Sequence, residues 1–600
     1  MPAFPAPRRK EHVDMAGDSP TIRFGVFELD LRTGELRKAG RKVPIQEQPL
    51  CVLVSLLERP GELVTRDELR QKLWQSDTFV DFDTGLNKAI GKIREALADS
   101  AASPRFVETL PKRGYRFIAP IEKLAPERSA PRTEQEQTGA KTAEKAPAIA
   151  VLPFVNMSTD KEDAYFSDGL SEEIINALTK LPGLRVIART SAFRFRGEQD
   201  LRKVGEALQV GAVLEGSVRK AGNRLRITAQ LIDVADDSHI WSERYDREMT
   251  DVFAIQDEIS AAIVDQLKVS LGGPPAAKHP TPKLAAYEAV LEGRHHWYRF
   301  ASADLTKALE CFERAVTIDP GYAEAHVGLA HYYVVLAGLS LAEPRKVLPK
   351  AKTAAERAME ADPTLAHAHS ALAQVVLWSE HAWPEAQRHF RRALALAPSL
   401  ALVHIAYGAL YLRPLGRLQE ALAEIDRALE HDPLSPLFRT EQAITLLYEK
   451  RYEEAAESCR RALDIDSSFF MALDGMALVR AYQQRFEEAL ALANQAVQTH
   501  GRRSRPLTLL GMVHALAGHT GEAHRVLDEL LELGGRGYVP AGRVAGIYAA
   551  LGERDAAFER AEKAVEQRDP TILAIRSSPV FDPLRSGPRY TALLRQMNLA

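Results

Sequence analysis

The feature that most constrains this 600-residue chain is an alanine that recurs in step through its C-terminal half. Alanine stands at 308, 351, 386, 421, 455, 489, 523 and 557, so the steps are 43, 35, 35 and then 34 throughout. A second small residue follows seven positions on, at Ala315, Ala358, Ala393, Ala428, Ala462, Ala496 and Ala564, with Leu530 the one departure. Five or six residues later comes a breaker or turn residue: Pro320, Pro363, Pro398, Pro433, Ser467, Gly501, Gly535 and Pro570. Small residues at fixed spacing let two helices approach closely, and proline ends the second. Gly416, Gly518 and Gly552 mark a turn inside three units. Such a unit cannot bury its apolar face alone, so the units must stack. Extra residues around Leu339–Lys350 and after Gly293 lengthen helices or loops without breaking the stack.

This register resembles the tetratricopeptide repeat, a helix-turn-helix, over about residues 285–570. The resemblance implies about eight units in 283–570 forming one solenoid, with 571–600 as a C-terminal cap. It also implies one long concave face that takes an extended or helical peptide of a protein partner.

The rest of the chain is too long for one core. A hydrophobic fraction of 46% and a charged fraction of 26% are ordinary for globular domains and exclude wholesale disorder. The net charge of −3 gives no global pull toward nucleic acid, so a DNA-binding surface must be local. Cys51, Cys311 and Cys459 are too scattered for a disulfide framework or a cysteine zinc site, which fits a reducing compartment. No apolar core follows Arg8, Arg9 and Lys10, and no stretch approaches the ~20 residues of a membrane helix. The expectation is a cytoplasmic protein with no membrane partner. Residues 1–20 are expected to be a disordered N-terminus, 21–122 a first domain, 123–146 a polar linker and 147–272 a second domain.

In the first domain Phe24–Asp30, Glu35–Lys38 and Lys42–Pro44 read as strands. Leu50, Leu53, Val54 and Leu57 form one face of a first helix, stopped by Pro60-Gly61. Thr65 caps a second helix, Arg66–Trp74, with Glu68 three residues on as in a capping box. An irregular loop, Gln75–Phe82, leads to a third helix over about Asp83–Ala98 that buries Leu86, Ile90, Ile93 and Leu97. A hairpin follows: Phe106–Leu110, a Pro-Lys-Arg-Gly tip, then Tyr115–Ile118.

The segments ELVTRDELRQKLW, LNKAIGKIREAL and FVETLPKRGYRFIAP resemble the CadC-like branch of the OmpR/PhoB-type winged helix. That resemblance implies double-stranded DNA as a partner and the third helix as the recognition helix. Thr84, Lys88, Gly91, Lys92 and Glu95 then point outward, with Asn87 and Arg94 on one flank. Long cationic and amide side chains reach base edges and phosphates, and Gly91 lets the helix sit close. Lys112 and Arg113 reach the adjacent backbone or minor groove from the hairpin tip. Tyr115 touches a phosphate or packs, and it and Trp74 suit the core better than contact. Lysines on an exposed helix are usually a solvated face; the surrounding fold pattern is what turns Lys88 and Lys92 toward DNA. Glu95 opposes phosphate, so it lies off the contact face or trims affinity. The loop Gln75–Phe82 is the expected contact with RNA polymerase, with Phe79 and Phe82 either exposed or packed inward. With only about twenty residues before this domain, no phosphorylated receiver is expected.

In the second domain Ala148–Phe154 and Leu184–Thr190 read as strands, Glu162–Leu181, Asp200–Leu208 and Val252–Leu267 as helices, and 212–233 as a hairpin around Ala221-Gly222-Asn223. The stretches IAVLPFVNMS, YFSDGLSEEIINAL, GLRVIARTSAFRFRG, LEGSVRKAGNRLRITAQLID and IWSERYDREMTDVFAIQDEI resemble the TolB N-terminal-like domain, which implies an interaction or sensing module. Asp163, Asp168, Glu172 and Glu173 suggest a metal or acid/base site, but Glu172 and Glu173 are better read as favouring a helix N-terminus. Ser191 and His239 lack a triad context, and no glycine-rich phosphate loop is present. His295, His296, His326, His331, His367, His369 and His404 show no zinc-protease spacing and read as packing or surface residues.

The fold expected is multidomain α+β: a winged helix, a small α/β domain and an all-α tetratricopeptide solenoid. The function expected is non-enzymatic DNA-binding transcription regulation, with no catalytic residue, metal or cofactor, input through the solenoid and a possible homodimer. The alternative is a protein-interaction scaffold with weak or vestigial DNA binding.

Overall fold

The computed structural model describes residues 21–24, 27–30, 35–38, 41–43, 47–57, 59–61, 63–73, 82–97, 99–100, 104–110, 113–119, 122–124, 147–267, 282–299 and 302–599. They fall into two compact units, Met1–Ala140 and Lys141–Ala600. The N-terminus 1–20, the loop 74–81, most of the 123–146 linker and the 268–281 break lie outside the described residues.

The first unit runs β1 (Thr21–Phe24), β2 (Phe27–Asp30), β3 (Glu35–Lys38), β4 (Arg41–Lys42), α1 (Glu47–Leu57), β5 (Leu63–Thr65), α2 (Arg66–Leu73), α3 (Phe82–Leu97), β6 (Val107–Leu110), β7 (Gly114–Phe117) and β8 (Glu122–Leu124). Alternation puts Ile22, Phe24, Phe27, Leu29 and Leu36 on one buried face of the sheet β4-β3-β2-β1-β8. Phe24 and Phe27 there meet Phe106, just before β6, and Phe24 meets Phe117 of β7 in the second, three-stranded sheet β5-β7-β6. The expected strand Phe24–Asp30 is in fact two strands, β1 and β2. Two strands were not anticipated: β5 is too short to show alternation, and β8 lies in polar residues that read as linker. Because β8 pairs with β1, Lys123 and Leu124 belong to this domain. What holds them is the backbone ladder, which leaves no mark in side-chain pattern.

The second unit opens with β9 (Ala148–Val151), β10 (Val155–Asn156), α4 (Ala164–Thr179), β11 (Arg185–Val186), α5 (Arg189–Ala192), α6 (Leu201–Leu208), β12 (Ala212–Ala221), β13 (Arg224–Asp233), β14 (His239–Glu248) and α7 (Val252–Gln266). The sheet order is β11-β9-β12-β13-β14, with β10 pairing β12. Ile149 and Val151 face the core made with α4 and α7, while Ala150 and Leu152 face the core made with α6. The expected strand Leu184–Thr190 is only two residues long, because Arg189 already begins α5.

Eight helix pairs follow among the described residues, from Leu284–Arg299 (α8) with Ser302–Ile318 to Ala541–Ala550 with Arg554–Glu566. All eight in-step alanines are fully buried. Gly416, Gly518 and Gly552 take positive φ at the turns inside their pairs. Three histidines have a role that the sequence reading left general. The Nε2–H of His326, His369 and His404 donates to the carbonyl of Pro320, Pro363 and Pro398, at 2.8, 3.1 and 2.8 Å. Each ring ties the start of a repeat to the proline six residues before it.

The array is not independent of the α/β domain. Tyr287 and Leu291 of α8 belong to the same core as α4 and α7. A Cβ at Gly169 of α4 would lie 2.7 Å from the Leu291 methyl carbons, so any larger residue there would force Leu291 to move. Ser191 of α5 donates to Asp432 and accepts from the Leu434 N–H at 2.9 Å, while Ser399 donates to the Leu184 carbonyl at 2.7 Å. Glu172 and Glu173 sit past the middle of α4 and not near its N-terminus. They meet Arg294 of α8, whose side chain is 13% exposed, and Glu172 also pairs with Arg189 at 3.2 Å. Their role is to join domains, because a charge at that depth needs a partner.

The far end of the array also turns inward. The Trp383 indole N–H donates to the Met597 carbonyl at 2.7 Å, and Asn598 donates to the His381 carbonyl at 3.2 Å. Leu593, Met597 and Leu599 share one apolar cluster with Trp383, Tyr411 and Leu412. The C-terminal segment, expected only as a cap, thus returns to the third and fourth repeats. Met597 is fully buried there, so Met597→Ala should cost about 2–5 kcal/mol in unfolding of the full chain. An unchanged unfolding curve would show that this closure contributes nothing.

Candidate nucleic-acid interface

The orientation of α3 follows from its apolar spacing. Leu86, Ala89, Ile90, Ile93 and Leu97 are buried against the core that α1 also enters, and Asn87, Lys88, Gly91 and Lys92 are exposed. A Cβ built at Gly91 would meet nothing within 4 Å, so packing inside the chain does not demand glycine there. Thr84 lies in the first turn of α3. Its side chain, that of Glu95, and Lys112 lie outside the described residues, as does the expected polymerase loop over 75–81, up to its end at Phe82. Arg113 is exposed where the hairpin turns into β7.

Two expected contact residues are placed differently. Arg94 turns back onto the hairpin, donating to the Val107 carbonyl at 3.0 Å and to Thr109 Oγ1 at 2.7 Å. It fixes the angle between α3 and β6. Tyr115 is buried, and its hydroxyl donates to Asn87 Oδ1 at 2.9 Å. Of the two alternatives for Tyr115, packing holds. With Asn87 Oδ1 so engaged, its amide N–H groups are what it offers outward.

Sequence reasoning missed two residues that hold this arrangement. Arg66 opens α2, donates to Asn87 Oδ1 at 3.2 Å and to the Tyr115 hydroxyl at 3.0 Å, and stacks its guanidinium over the Tyr115 ring. Nothing local marks it, because its partners are 21 and 49 residues away. Its position comes from the expected capping box: Thr65 N–H donates to Glu68 at 2.7 Å and Glu68 N–H to Thr65 Oγ1 at 3.3 Å. Asp99 follows α3 and accepts four backbone N–H groups, from Ser100, Arg105, Phe106 and Val107, at 2.7–3.2 Å. It stitches the end of α3 to the start of β6.

The resulting surface presents the ammonium groups of Lys88 and Lys92 and the amide donors of Asn87. Such a surface complements phosphate and the acceptor-rich major groove. Among the described residues no three His, Cys, Asp or Glu side chains gather as a metal would require. Burial pushes the Cys311 thiol up to about 11 and the Cys459 thiol up to about 12, so neither is a ready nucleophile.

Residues 40–117 match the family described as the C-terminal domain of transcriptional regulatory proteins. The first domain is an OmpR/PhoB-type winged helix. Residues 144–262 match the second domain of HilA/YgeH-like transcriptional regulators, and the helical array after them is tetratricopeptide-like. HilA of Salmonella typhimurium is 24% identical over 439 residues, 72% of this chain and 73% of that protein. The putative adenylate cyclase 3 of Rhizobium meliloti is 46% identical over 188 residues, 31% of this chain and 32% of that protein. The chain thus spans about a third of the cyclase's length and nearly three quarters of HilA's. A cholera toxin homolog transcriptional activator from Vibrio parahaemolyticus is 45% identical over 75 residues, 12% of this chain and 26% of that protein. Among the described residues no helix is long and apolar enough to cross a membrane.

Asp99 gives the domain a pH signature. Burial pushes its carboxyl up, but the N–H groups of Arg105, Val107, Phe106 and Ser100 outweigh that and hold it below its ordinary range. Its contribution is therefore complete above the unfolded value of about 3.9 and is lost as pH falls through the lower folded value. Asp99→Ala should lower the stability of residues 21–124 at neutral pH by about 1–3 kcal/mol and flatten the acid limb of the unfolding profile. Acid limbs that superimpose would rule out this role.

Proposed function

We propose that this chain is a DNA-binding transcription regulator, not an enzyme, and that α3 enters the major groove with Asn87, Lys88 and Lys92 as its contacts. The observation that carries the reading is the exposed donor face around Gly91. Glycine inside a helix costs about 0.5–1 kcal/mol relative to alanine, and no neighbour within the chain calls for it. Close approach of an outside surface does. Thr84 and Lys112 are proposed as further contacts on the sequence pattern alone, and exposed Arg113 as one to the adjacent backbone. Arg94 and Tyr115 act from behind, by holding Asn87 and the hairpin in place.

The α/β domain and the array act in this reading as one input body, since α8 lies in the core of both. The TolB-like resemblance of 147–272 fits a sensing or interaction module within that body. A partner peptide would then have to bind the array where the C-terminal segment leaves it open. The loop Gln75–Phe82 remains our candidate contact with RNA polymerase. The scaffold alternative is separated from this reading by the salt dependence of DNA binding.

Lys88→Ala and Lys92→Ala should each weaken binding of residues 21–124 to a cognate duplex. Each should reduce the slope of log affinity against log salt by about 1 for a lost phosphate contact. Tyr115→Phe should weaken binding less, by freeing Asn87. A folded domain that binds no genomic fragment at low salt would favour the scaffold.

A further inference from the structure

The second unit carries a strand edge that its own fold leaves open. β14 pairs with β13 from Arg224↔Glu248 to Leu231↔Trp241, with the register shifting only at Leu231/Ile232. On its other side no strand follows in the sheet among the described residues. This edge is ten residues long and contains neither proline nor glycine. Its outward N–H and C=O groups are a template for another strand. The strand is long, and its one irregularity lies near its start, opposite Leu231/Ile232; its protection is its charge, and the order of those charges decides what can pair with it.

The charges of that run are ordered Glu243, Arg244, Tyr245, Asp246, Arg247. Set antiparallel against a copy of itself about a two-fold axis at Tyr245, Arg244 falls opposite Asp246 and Glu243 opposite Arg247. Every charged pair in this central run is then of opposite sign, and symmetry makes each occur twice. Moving the axis to Arg244 sets Arg244 against its own copy and leaves no pair of opposite sign. A parallel in-register pairing sets each charge against its own kind. Apart from the anchored Tyr245, these side chains are exposed. Asp246 is held by Arg224 at 2.9 Å and Arg226 at 2.6 Å, and Arg247 faces Glu258 at 3.5 Å.

We propose that β14 is a dimer seam, at which two copies of this chain pair antiparallel through Tyr245 and join their two six-stranded sheets into one. Given the DNA-binding reading above, the seam would place two tethered winged helices in one assembly, suited to paired half-sites.

The test is the mass of the full-length chain by sedimentation equilibrium without DNA, so failure of the DNA reading leaves it intact. The wild type should be a dimer. Glu243→Arg and Arg247→Glu should each weaken self-association at least tenfold. Mixing those two variants should restore a heterodimer, because each reversed charge then meets its opposite, and the double variant Glu243→Arg/Arg247→Glu should dimerise alone. Arg244→Glu, which sets a carboxylate against Asp246, provides a third reversal should either of the others fail to fold. A monomeric wild type at high micromolar concentration overturns the proposal. So does a dimer indifferent to the reversals, or folded single variants that mixing does not rescue.

Discussion

A stripe of apolar side chains on one helix decides which way the charged groups of the first domain point. Leu86, Ile90, Ile93 and Leu97 lie on the buried side of α3, and helical geometry leaves Asn87, Lys88, Gly91 and Lys92 no choice but solvent. The fine setting is polar. Arg66, Tyr115 and Asn87 form one hydrogen-bonded group from α2, β7 and α3, while Arg94 and Asp99 bind the second half of α3 to the hairpin. The interface is thus set by side chains that do not belong to its outer surface.

In the second unit the constraint is the small residue. Gly169 admits Leu291, and the fully buried alanines let each helix lie close on its pair. The result is continuity: α/β core, first repeat, later repeats and returning C-terminal segment share contacts without a free seam.

Much of this was legible in the sequence, and what was not has definite causes. The alanine and proline register located all eight helix pairs, and apolar spacing located α3 to within a residue at each end. The capping box at Thr65 and Glu68 was also local and readable. Contacts between residues far apart in sequence were not: Arg66 with Tyr115, Glu172 with Arg294, Ser191 with Asp432, and Trp383 with Met597. Arg94 reads as a flank of the contact face and Tyr115 as either a phosphate contact or a packed ring, because helical phase and hairpin position describe where a side chain starts, not where its polar end finds a partner. The histidine that follows a proline by six residues in three repeats was visible as spacing, but its hydrogen bond needs the fold to be understood.

The most direct test of the central claim is residue-resolved. Backbone amide NMR of residues 21–124, titrated with a cognate duplex at low salt, reports which surface meets DNA. The account predicts that the largest shifts fall at Asn87, Lys88, Gly91 and Lys92, with a second group around Arg113. Shifts confined to β1–β4, with α3 unmoved, would contradict it.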